Sequence, residues 1–393
     1  MKIISWNNKS VQIRQNQDKR SLYFPHVNLL RGFAALSVLV YHVIETFPWK
    51  SFPYSPMPLL WFRLGWMGVD LFFVISGFAI MLSVLKLQAN EAPGVSPQNI
   101  FMRRRVVRIV PLYLFTVCIY IIFLTPGMIL WPSFLKQLLT HLTFTHNFFP
   151  DTSRSIDGPN WSVATEFQFY LIMCLLMRQL KSLHPWVILI GGVAIATASR
   201  SLVFVIAKYF HWDADYDVIY TTQVITMMDE FCFGAVIAKL VIHGNKIRLC
   251  SLEKFWKSRL FWVMAILTIL MFRITFWKFW RVANYWDDAF MVIAWRSMLG
   301  GSFAMLLVIA ILIPLPKTFL KFPHYIGYYL GEISYGIYLW HLPVMMSLKN
   351  VGFQSPLNFM TATIICTILL AMFSWHFIEK PIIQRYRYNV FFK

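Results

Sequence analysis

The sequence predicts an all-α fold, a polytopic bundle of about ten transmembrane helices with both termini in the cytoplasm. Three observations support this prediction. Hydrophobic residues make up 58% of the 393 residues and charged residues 13%, whereas soluble domains have about 25% charged residues. Apolar runs of roughly 20 residues, the length that crosses a bilayer, recur along the chain. Lys and Arg concentrate in alternate connections between these runs, as is typical of the cytoplasmic side of membrane proteins.

The apolar runs set the boundaries of the predicted helices. They lie at residues 29–47, 65–85, 107–125, 161–177, 185–207, 218–238, 260–276, 289–313, 325–348 and 357–378. The chain is thus expected to divide into a basic cytoplasmic N-terminal segment (1–28), a transmembrane domain (29–381) and a cytoplasmic tail (382–393). The first segment lacks the apolar core of a cleaved signal peptide, so the first helix is expected to direct membrane insertion.

The formal net charge of +19 is a feature that nucleic-acid-binding proteins share. We exclude nucleic acid as a partner, because the basic residues flank apolar runs instead of forming a stripe on a polar domain. They are placed to face the negatively charged leaflet of a lipid bilayer. The five cysteines are spread along the chain, and the sequence predicts neither a disulfide framework nor a metal site.

The first helix carries two ionisable groups in an otherwise apolar run. Arg31 and His42 are eleven residues apart, about three helical turns and roughly 16 Å. Both side chains therefore lie on one face, with Arg31 near the cytoplasmic end and His42 in the outer half. Ionisable residues in a transmembrane helix indicate a functional site. The structural alternatives are a histidine that bridges two helices and an arginine that extends to the interface.

Two carboxylates are predicted at the depth of His42. The second helix runs inward from Asp70, and the fourth helix runs inward past Glu166. A carboxylate beside a histidine fixes its tautomer and stabilises its charge when it acts as a base. His42, Asp70 and Glu166 therefore form the predicted catalytic group, although both carboxylates could instead cap the starts of their helices. His341 is interpreted as packing or channel lining.

The cytoplasmic edge of the third helix has a different chemistry. Arg105 and Arg108 are three residues apart and share a helical face. Guanidinium groups are rigid, forked donors that suit phosphate oxygens, so the pair predicts a phosphate-binding site facing the cytoplasm. A simple topology anchor is the alternative. Glu379, near the end of the last helix, is expected to be a structural partner of an arginine at this edge.

Six sequence segments, taken in order, resemble the acyltransferase 3 family of integral membrane O-acyltransferases. They are LLRGFAALSVLVYH, GVDLFFVISGF, RRRVVRIVPLY, NWSVATEFQFY, SYGIYLWHLP and FSWHFIEKP, and they extend from residue 29 to residue 381. The resemblance implies transfer of an acyl group, most often acetyl, from cytoplasmic acyl-CoA to a hydroxyl of an extracytoplasmic acceptor, usually a glycan. It also implies a catalytic role for His42 and a supporting role for Arg31.

The same resemblance implies a site for the acyl donor. Arg105 and Arg108 match the family's arginine pair, and Ser76 lies in a matching Ser-Gly-Phe segment. Together with Arg31, these residues are the predicted binding site for acetyl-CoA. Some members of the family carry a C-terminal esterase-like domain, which is not expected here because the chain continues for only twelve residues after Pro381.

The resemblance leads us to expect an inner-membrane O-acetyltransferase of a bacterial surface polysaccharide or its lipid-linked precursor, such as O-antigen or exopolysaccharide. One alternative is acylation of a small acceptor, such as a macrolide or a signalling oligosaccharide. The other is a proton-coupled transporter of a glycan or lipid that uses His42, Asp70 and Glu166 as a relay. Against the transporter, the sequence shows no internal repeat.

Overall fold

The structure, a computed structural model, describes residues 24–46, 62–89, 96–156, 158–244, 257–313 and 321–391, with side chains to residues 242 and 386 in the ranges that end at 244 and 391. Every regular element in these ranges is helical, which confirms the predicted all-α class. Most of the predicted N-terminal segment, residues 1–23, lies outside the described residues, as do residues 392–393 of the predicted tail.

The described ranges contain 15 α-helices, numbered here in chain order. They are α1 Pro25–Thr46, α2 Gly68–Ala89, α3 Pro97–Ile119, α4 Phe134–Leu142, α5 Trp161–Leu175, α6 Met177–Ser182, α7 Pro185–Phe210, α8 Ala214–Thr221, α9 Met228–Gly244, α10 Arg259–Phe279, α11 Arg296–Leu312, α12 Lys321–Glu332, α13 Ser334–Lys349, α14 Pro356–Ser374 and α15 Lys380–Phe391. Single π-helical turns follow α3, precede α11 and join α14 to α15.

Seven helical segments in the described ranges are long and apolar enough to cross a membrane. They are Pro25–Thr46, Gly65–Ala89, Pro97–Leu124, Pro185–Phe210, Arg259–Phe279, Met291–Leu312 and Pro356–Tyr386. Each of them coincides with a predicted span. The other three predicted spans contain helices that are individually too short, so helix length identifies seven spans where hydropathy predicted ten.

Local structure explains why the other three predicted spans do not form single long helices. The predicted span 161–177 corresponds to α5, which ends at Leu175. The span 218–238 begins in the last residues of α8 and continues in turns, and α9 starts only at Met228. The span 325–348 is divided between α12 and α13. Next to that division, Gly331 packs so closely on the backbone of Asn28 in α1 that a side chain would overlap it, and only glycine allows this approach.

The most extensive helix packing joins α2 to α9. A Cβ atom at Gly77 would overlap the carbonyl oxygen of Phe231, and one at Gly234 would overlap that of Val74. The two glycines therefore let the backbones approach closely, as small residues do at helix crossings in membranes. Because Gly77 faces α9, the neighbouring Ser76 is turned toward α5, where it hydrogen-bonds Glu166.

A buried network of charged and hydroxyl groups joins α7, α9 and α11. Arg200 of α7 pairs with Asp229 of α9 at 2.6 Å, and their side chains are 1% and 0% exposed. Arg200 also donates to the carbonyl oxygen of Thr226 at 2.8 Å, and Ser297 of α11 donates to Asp229 at 2.5 Å. Buried charges are tolerated when they are paired and hydrogen-bonded, so this network holds the three helices in one arrangement.

Gly77→Ala is expected to lower the thermal stability of the purified protein in detergent, because the added methyl group forces α2 and α9 apart. Overpacking of this kind costs about 1–3 kcal/mol. Gly191→Ala in α7 is the matched control, since nothing lies within 4 Å of a Cβ atom at that position. The midpoint of thermal unfolding, followed by tryptophan fluorescence, should fall only for Gly77→Ala. An equal midpoint for both variants would contradict the close crossing.

Candidate active site

Three arginines that the sequence assigns to the donor lie near one another in the structure. Arg31 comes from α1, and Arg105 and Arg108 come from α3. Their charges interact, and all three side chains are partly buried. Among the described residues, no carboxylate oxygen lies within 4.0 Å of any of their guanidinium nitrogens. We call these three residues the arginine cluster.

Aromatic and hydroxyl groups orient the cluster without neutralising it. The guanidinium carbon of Arg105 lies 5.4 Å from the ring centre of Phe101 and 5.5 Å from that of Tyr170. The Nε atom of Arg31 lies 3.4 Å from the hydroxyl oxygen of Ser334 in α13. The Nε atom of Arg105 is buried and has no hydrogen-bond partner in the described part of the chain. The cluster therefore keeps donors and charge for a ligand.

Glu166 of α5 belongs to the surroundings of this cluster. Its Oε1 atom accepts hydrogen bonds from the hydroxyls of Ser76 and Tyr170, the latter at 2.8 Å. The carboxylate also interacts electrostatically with Arg31 and Arg105. Ser76, which the sequence assigned to the donor site, therefore lies beside the arginines but is already hydrogen-bonded to Glu166.

The expected position of Glu166 at the depth of His42 is wrong. That expectation assumed that α5 begins at the outer membrane surface. The turn before α5 instead lies inside the bundle, where the hydroxyl of Tyr338 donates to the carbonyl oxygen of Pro159 at 2.9 Å and bonds the hydroxyl of Ser162 at 2.6 Å. Glu166 follows Ser162 by one helical turn, about 6 Å, and so reaches the arginine cluster.

Glu379 is the second carboxylate near the arginines. It is 4% exposed and lies within electrostatic range of Arg31 and Arg108, without forming a close ion pair with either. Three guanidinium groups thus share their surroundings with two carboxylates, Glu166 and Glu379. The balance leaves one positive charge, which an anionic ligand would neutralise.

A second group of ionisable residues lies further along the same face of α1. The Nδ1 atom of His42 is 3.1 Å from the Nε2 atom of His341 in α13. The Nδ1 atom of His341 is in turn 2.5 Å from the carbonyl oxygen of Tyr338. His341 is only 1% exposed, whereas His42 is partly exposed. We call His42 and His341 the histidine pair.

No ion pair joins Asp70 to His42 among the described residues, because Asp70 pairs with an arginine instead. Its Oδ1 atom is 3.0 Å from the Nε atom of Arg296 in α11, and the residue is 1% exposed. Phe72 packs against Tyr338 of α13. Side chains two residues apart on a helix differ in direction by about 200°. Asp70 therefore lies on the side of α2 that faces away from α13.

The position of His341 beside His42 was not predicted, because His341 was interpreted as packing or channel lining. A signal was available in its predicted depth. If the predicted span 325–348 runs outward like the first helix, His341 lies in the outer half, as His42 does. The direction in which each ring points is a property of helix packing, and hydropathy does not report it.

The arginine cluster and the histidine pair both lie within the part of the chain that matches a known family. A family model described as an acyltransferase domain, that of acyltransferase 3, matches residues 24–377. The chain belongs to the acyltransferase 3 family. The resemblance inferred from the six sequence segments is thereby confirmed.

Three curated proteins that are similar to this chain illustrate its relationships. The O-acetyltransferase OatA of Staphylococcus aureus (strain NCTC 8325 / PS 47) is 26% identical over 385 residues, which cover 92% of this chain and 57% of OatA. The putative peptidoglycan O-acetyltransferase YrhL of Bacillus subtilis (strain 168) is 27% identical over 392 residues, 92% of this chain and 55% of YrhL. The putative acetyltransferase ORF330 of Acidianus two-tailed virus is 25% identical over 343 residues, which cover 84% of this chain and 86% of ORF330. The chain spans little more than half the length of the two bacterial relatives, and no solved structure matches it.

Asp70→Leu and Arg296→Leu are each expected to destabilise the protein by about 3–5 kcal/mol, because each breaks a buried ion pair. The double variant should recover much of this loss, since it removes both charges. The test compares the midpoints of thermal unfolding in detergent for the wild type, the two single variants and the double variant. If Asp70 instead acted in catalysis at His42, Asp70→Asn would lose acyl transfer at unchanged stability, which would contradict the structural assignment.

Proposed function

We propose that the chain is a membrane O-acetyltransferase, which moves an acetyl group from cytoplasmic acetyl-CoA to a hydroxyl of a surface polysaccharide or its lipid-linked precursor. One observation carries the proposal. Arg31 of the arginine cluster, which lacks close carboxylate partners, and His42 of the histidine pair lie on one face of α1, about 16 Å apart. Binding of a polyanionic donor and removal of a hydroxyl proton are the two tasks that this reaction requires.

The arginine cluster suits the phosphate groups of the donor. Three guanidinium groups near two carboxylates leave positive charge, and the Nε atom of Arg105 lacks an acceptor among the described residues. Phosphate oxygens supply both charge and acceptors, because forked guanidinium donors bind them in charge-assisted hydrogen bonds. Arg31, Arg105 and Arg108 would contact the phosphates directly, and Ser76 would support the site by holding Glu166.

His42 is placed to act as the general base. Its imidazole takes the proton of the acceptor hydroxyl while the hydroxyl oxygen attacks the thioester carbonyl carbon. The carbon–sulfur bond then breaks, and the sulfur leaves as a thiolate that takes up the proton. The alternative route places the acetyl group first on the imidazole and then on the acceptor. In either route the thioester has to pass Tyr338 and Ser162, whose hydroxyls hydrogen-bond each other.

The acceptor class follows from the names of the relatives. OatA is named an O-acetyltransferase, and YrhL a putative peptidoglycan O-acetyltransferase. A glycan hydroxyl is therefore the acceptor that we favour, in O-antigen, in exopolysaccharide or, as a second candidate, in peptidoglycan. Neither name points to a small acceptor such as a macrolide. Membership in an acyltransferase family also favours the enzyme over a proton-coupled transporter.

We further propose an inner-membrane topology of ten crossings with both termini in the cytoplasm. The seven long segments account for part of it, and α5, α9 and the α12–α13 pair supply three shorter crossings. α9 packs along α2 inside the bundle, and α12 and α13 both pack on α1. This topology places Arg105 and Arg108 on the cytoplasmic side, in keeping with the positive-inside rule. The predicted limits of the transmembrane domain, 29–381, remain part of this proposal.

Replacement of Arg105 and Arg108 together by alanine is expected to weaken acetyl-CoA binding about 100-fold, because two charge-assisted contacts worth about 1.5 kcal/mol or more each are lost. The matched control replaces Arg103 and Arg104, which are exposed on the same helix. Affinity is measured with radiolabelled acetyl-CoA and purified protein in detergent. Undiminished affinity of the first variant would mean that the two arginines are only a topology anchor.

His42→Ala is expected to reduce the O-acetyl content of the surface glycan by about 10²-fold or more, because it removes the base. Its affinity for acetyl-CoA should stay that of the wild type. His376→Ala, at an exposed histidine, is the control. Glycan acetylation is compared at equal amounts of protein in the membrane. Full acetylation with His42→Ala would overturn the mechanism, and no acetylation of any glycan by the wild type would overturn the acceptor.

A further inference from the structure

The hydrogen bonds of the histidine pair determine where the proton of His341 lies. Its Nδ1 atom is 2.5 Å from the carbonyl oxygen of Tyr338. A carbonyl oxygen can only accept a hydrogen bond, so Nδ1 of His341 is the nitrogen that carries the proton. In a neutral imidazole the other nitrogen then presents a lone pair. Nε2 of His341 is therefore an acceptor.

The proton of His42 follows from that of His341. Its Nδ1 atom lies 3.1 Å from Nε2 of His341, and because that nitrogen accepts, Nδ1 of His42 donates. Nε2 of His42 is then the nitrogen with the free lone pair. Only His42 is partly exposed, whereas His341 is 1% exposed. The basic nitrogen thus belongs to the ring that a substrate can reach.

We propose that His341 is a positioning residue, which holds His42 in the tautomer with its proton on Nδ1 and so presents Nε2 of His42 to the acceptor hydroxyl. This inference rests on the proposed function, in which His42 is the base. When Nε2 takes the hydroxyl proton, the resulting imidazolium ring still donates from Nδ1 to His341. That hydrogen bond is charge-assisted and therefore stronger than the one in the resting state.

The histidine pair thus performs the task that the sequence assigned to a carboxylate. Asp70 is paired with Arg296, and Glu166 is hydrogen-bonded to Ser76 and Tyr170. His341 instead fixes the tautomer of His42, because its own tautomer is fixed by the backbone of α13. The base therefore needs no charged partner to present Nε2.

Two titratable side chains pack against the pair. Tyr41 on α1 meets the His42 ring edge-on at 5.2 Å between ring centres, and the ring of Tyr338 on α13 lies 5.7 Å from that of His341. From α2, the neighbouring ring is that of Phe72, which contacts Tyr338 and does not titrate. Tyrosine hydroxyls ordinarily ionise near pH 10, about 10 being their usual pKa. Because these neighbours are the same in every variant, a difference in the acidic limb between the wild type and a His341 variant reports on the histidines.

His341→Gln and His341→Leu separate positioning from packing. Glutamine keeps an amide oxygen that can accept from Nδ1 of His42, whereas leucine keeps bulk and offers no acceptor. We expect His341→Leu to lower kcat about 100-fold at an unchanged KM for acetyl-CoA. His341→Gln should keep at least roughly a tenth of kcat, since the orienting hydrogen bond remains. Equal losses of kcat in both variants would contradict a positioning role.

The pH profile of kcat adds a readout that packing alone does not move. Activity falls at low pH as Nε2 of His42 becomes protonated. Without the acceptor, the imidazolium form is less stable, so the acidic limb should move to lower pH in His341→Leu. In His341→Gln it should stay close to the wild-type position. An acidic limb at the wild-type pH in an active His341→Leu would overturn the proposal.

Nitrogen-15 NMR of the full chain labelled at histidine detects the tautomer itself. The His42 signals are identified by their absence from the spectrum of His42→Gln. At neutral pH the wild type should show a protonated Nδ1 and a bare Nε2 at His42, and His341→Leu should lose this preference. A protonated Nε2 at His42 in the wild type would overturn the inference, whatever the activity.

The NMR experiment also separates this inference from the proposed function, because it needs neither donor nor acceptor. A wild-type protein with the expected tautomer but without acetyl transfer would overturn the proposed function and support the positioning role. A protein that transfers acetyl with the opposite tautomer would overturn only the positioning role. If His341→Leu fails to fold, the wild-type spectrum and His341→Gln still decide the question.

Discussion

Uncompensated positive charge in the arginine cluster is the constraint on which the rest of this structure depends. Two other arginines inside the bundle are paired, Arg200 with Asp229 and Arg296 with Asp70, because a buried charge without a partner is costly. The cluster around Arg31 has only indirect neutralisation by nearby carboxylates. The fold pairs Arg200 and Arg296 but leaves the arginine cluster without a close carboxylate partner. Positive charge therefore remains at the cluster, which suits the binding of an anion.

Helix packing connects this anion site to the base. α1 and α13 meet at two levels, first through Arg31 and Ser334 and then through His42 and His341. Arg31 and His42 therefore lie on one helix and contact one neighbouring helix, and backbone geometry sets their separation. Rigid elements of this kind hold a donor and a base at a fixed distance, which is what transfer of a small group requires.

Both carboxylates of the predicted catalytic group have partners other than His42. Asp70 is enclosed with Arg296, and Glu166 receives hydroxyl donors beside the arginines. In the proposed mechanism, the base is instead oriented by a second imidazole that is itself oriented by a backbone carbonyl. A neutral partner avoids placing another charge in a region of low dielectric constant, where charges are expensive unless paired.

The sequence by itself determined the helical class, the limits of seven spans, the shared face of Arg31 and His42, and the proximity of Arg105 to Arg108. Hydropathy reports which residues cross the membrane, and the helical period reports which residues share a face. Only the tertiary structure decided which neighbour each face meets. Asp70 faces Arg296, Glu166 lies deeper than expected and His341 joins His42, because close backbone contacts such as those of Gly77 and Gly331 set the rotation and height of each helix.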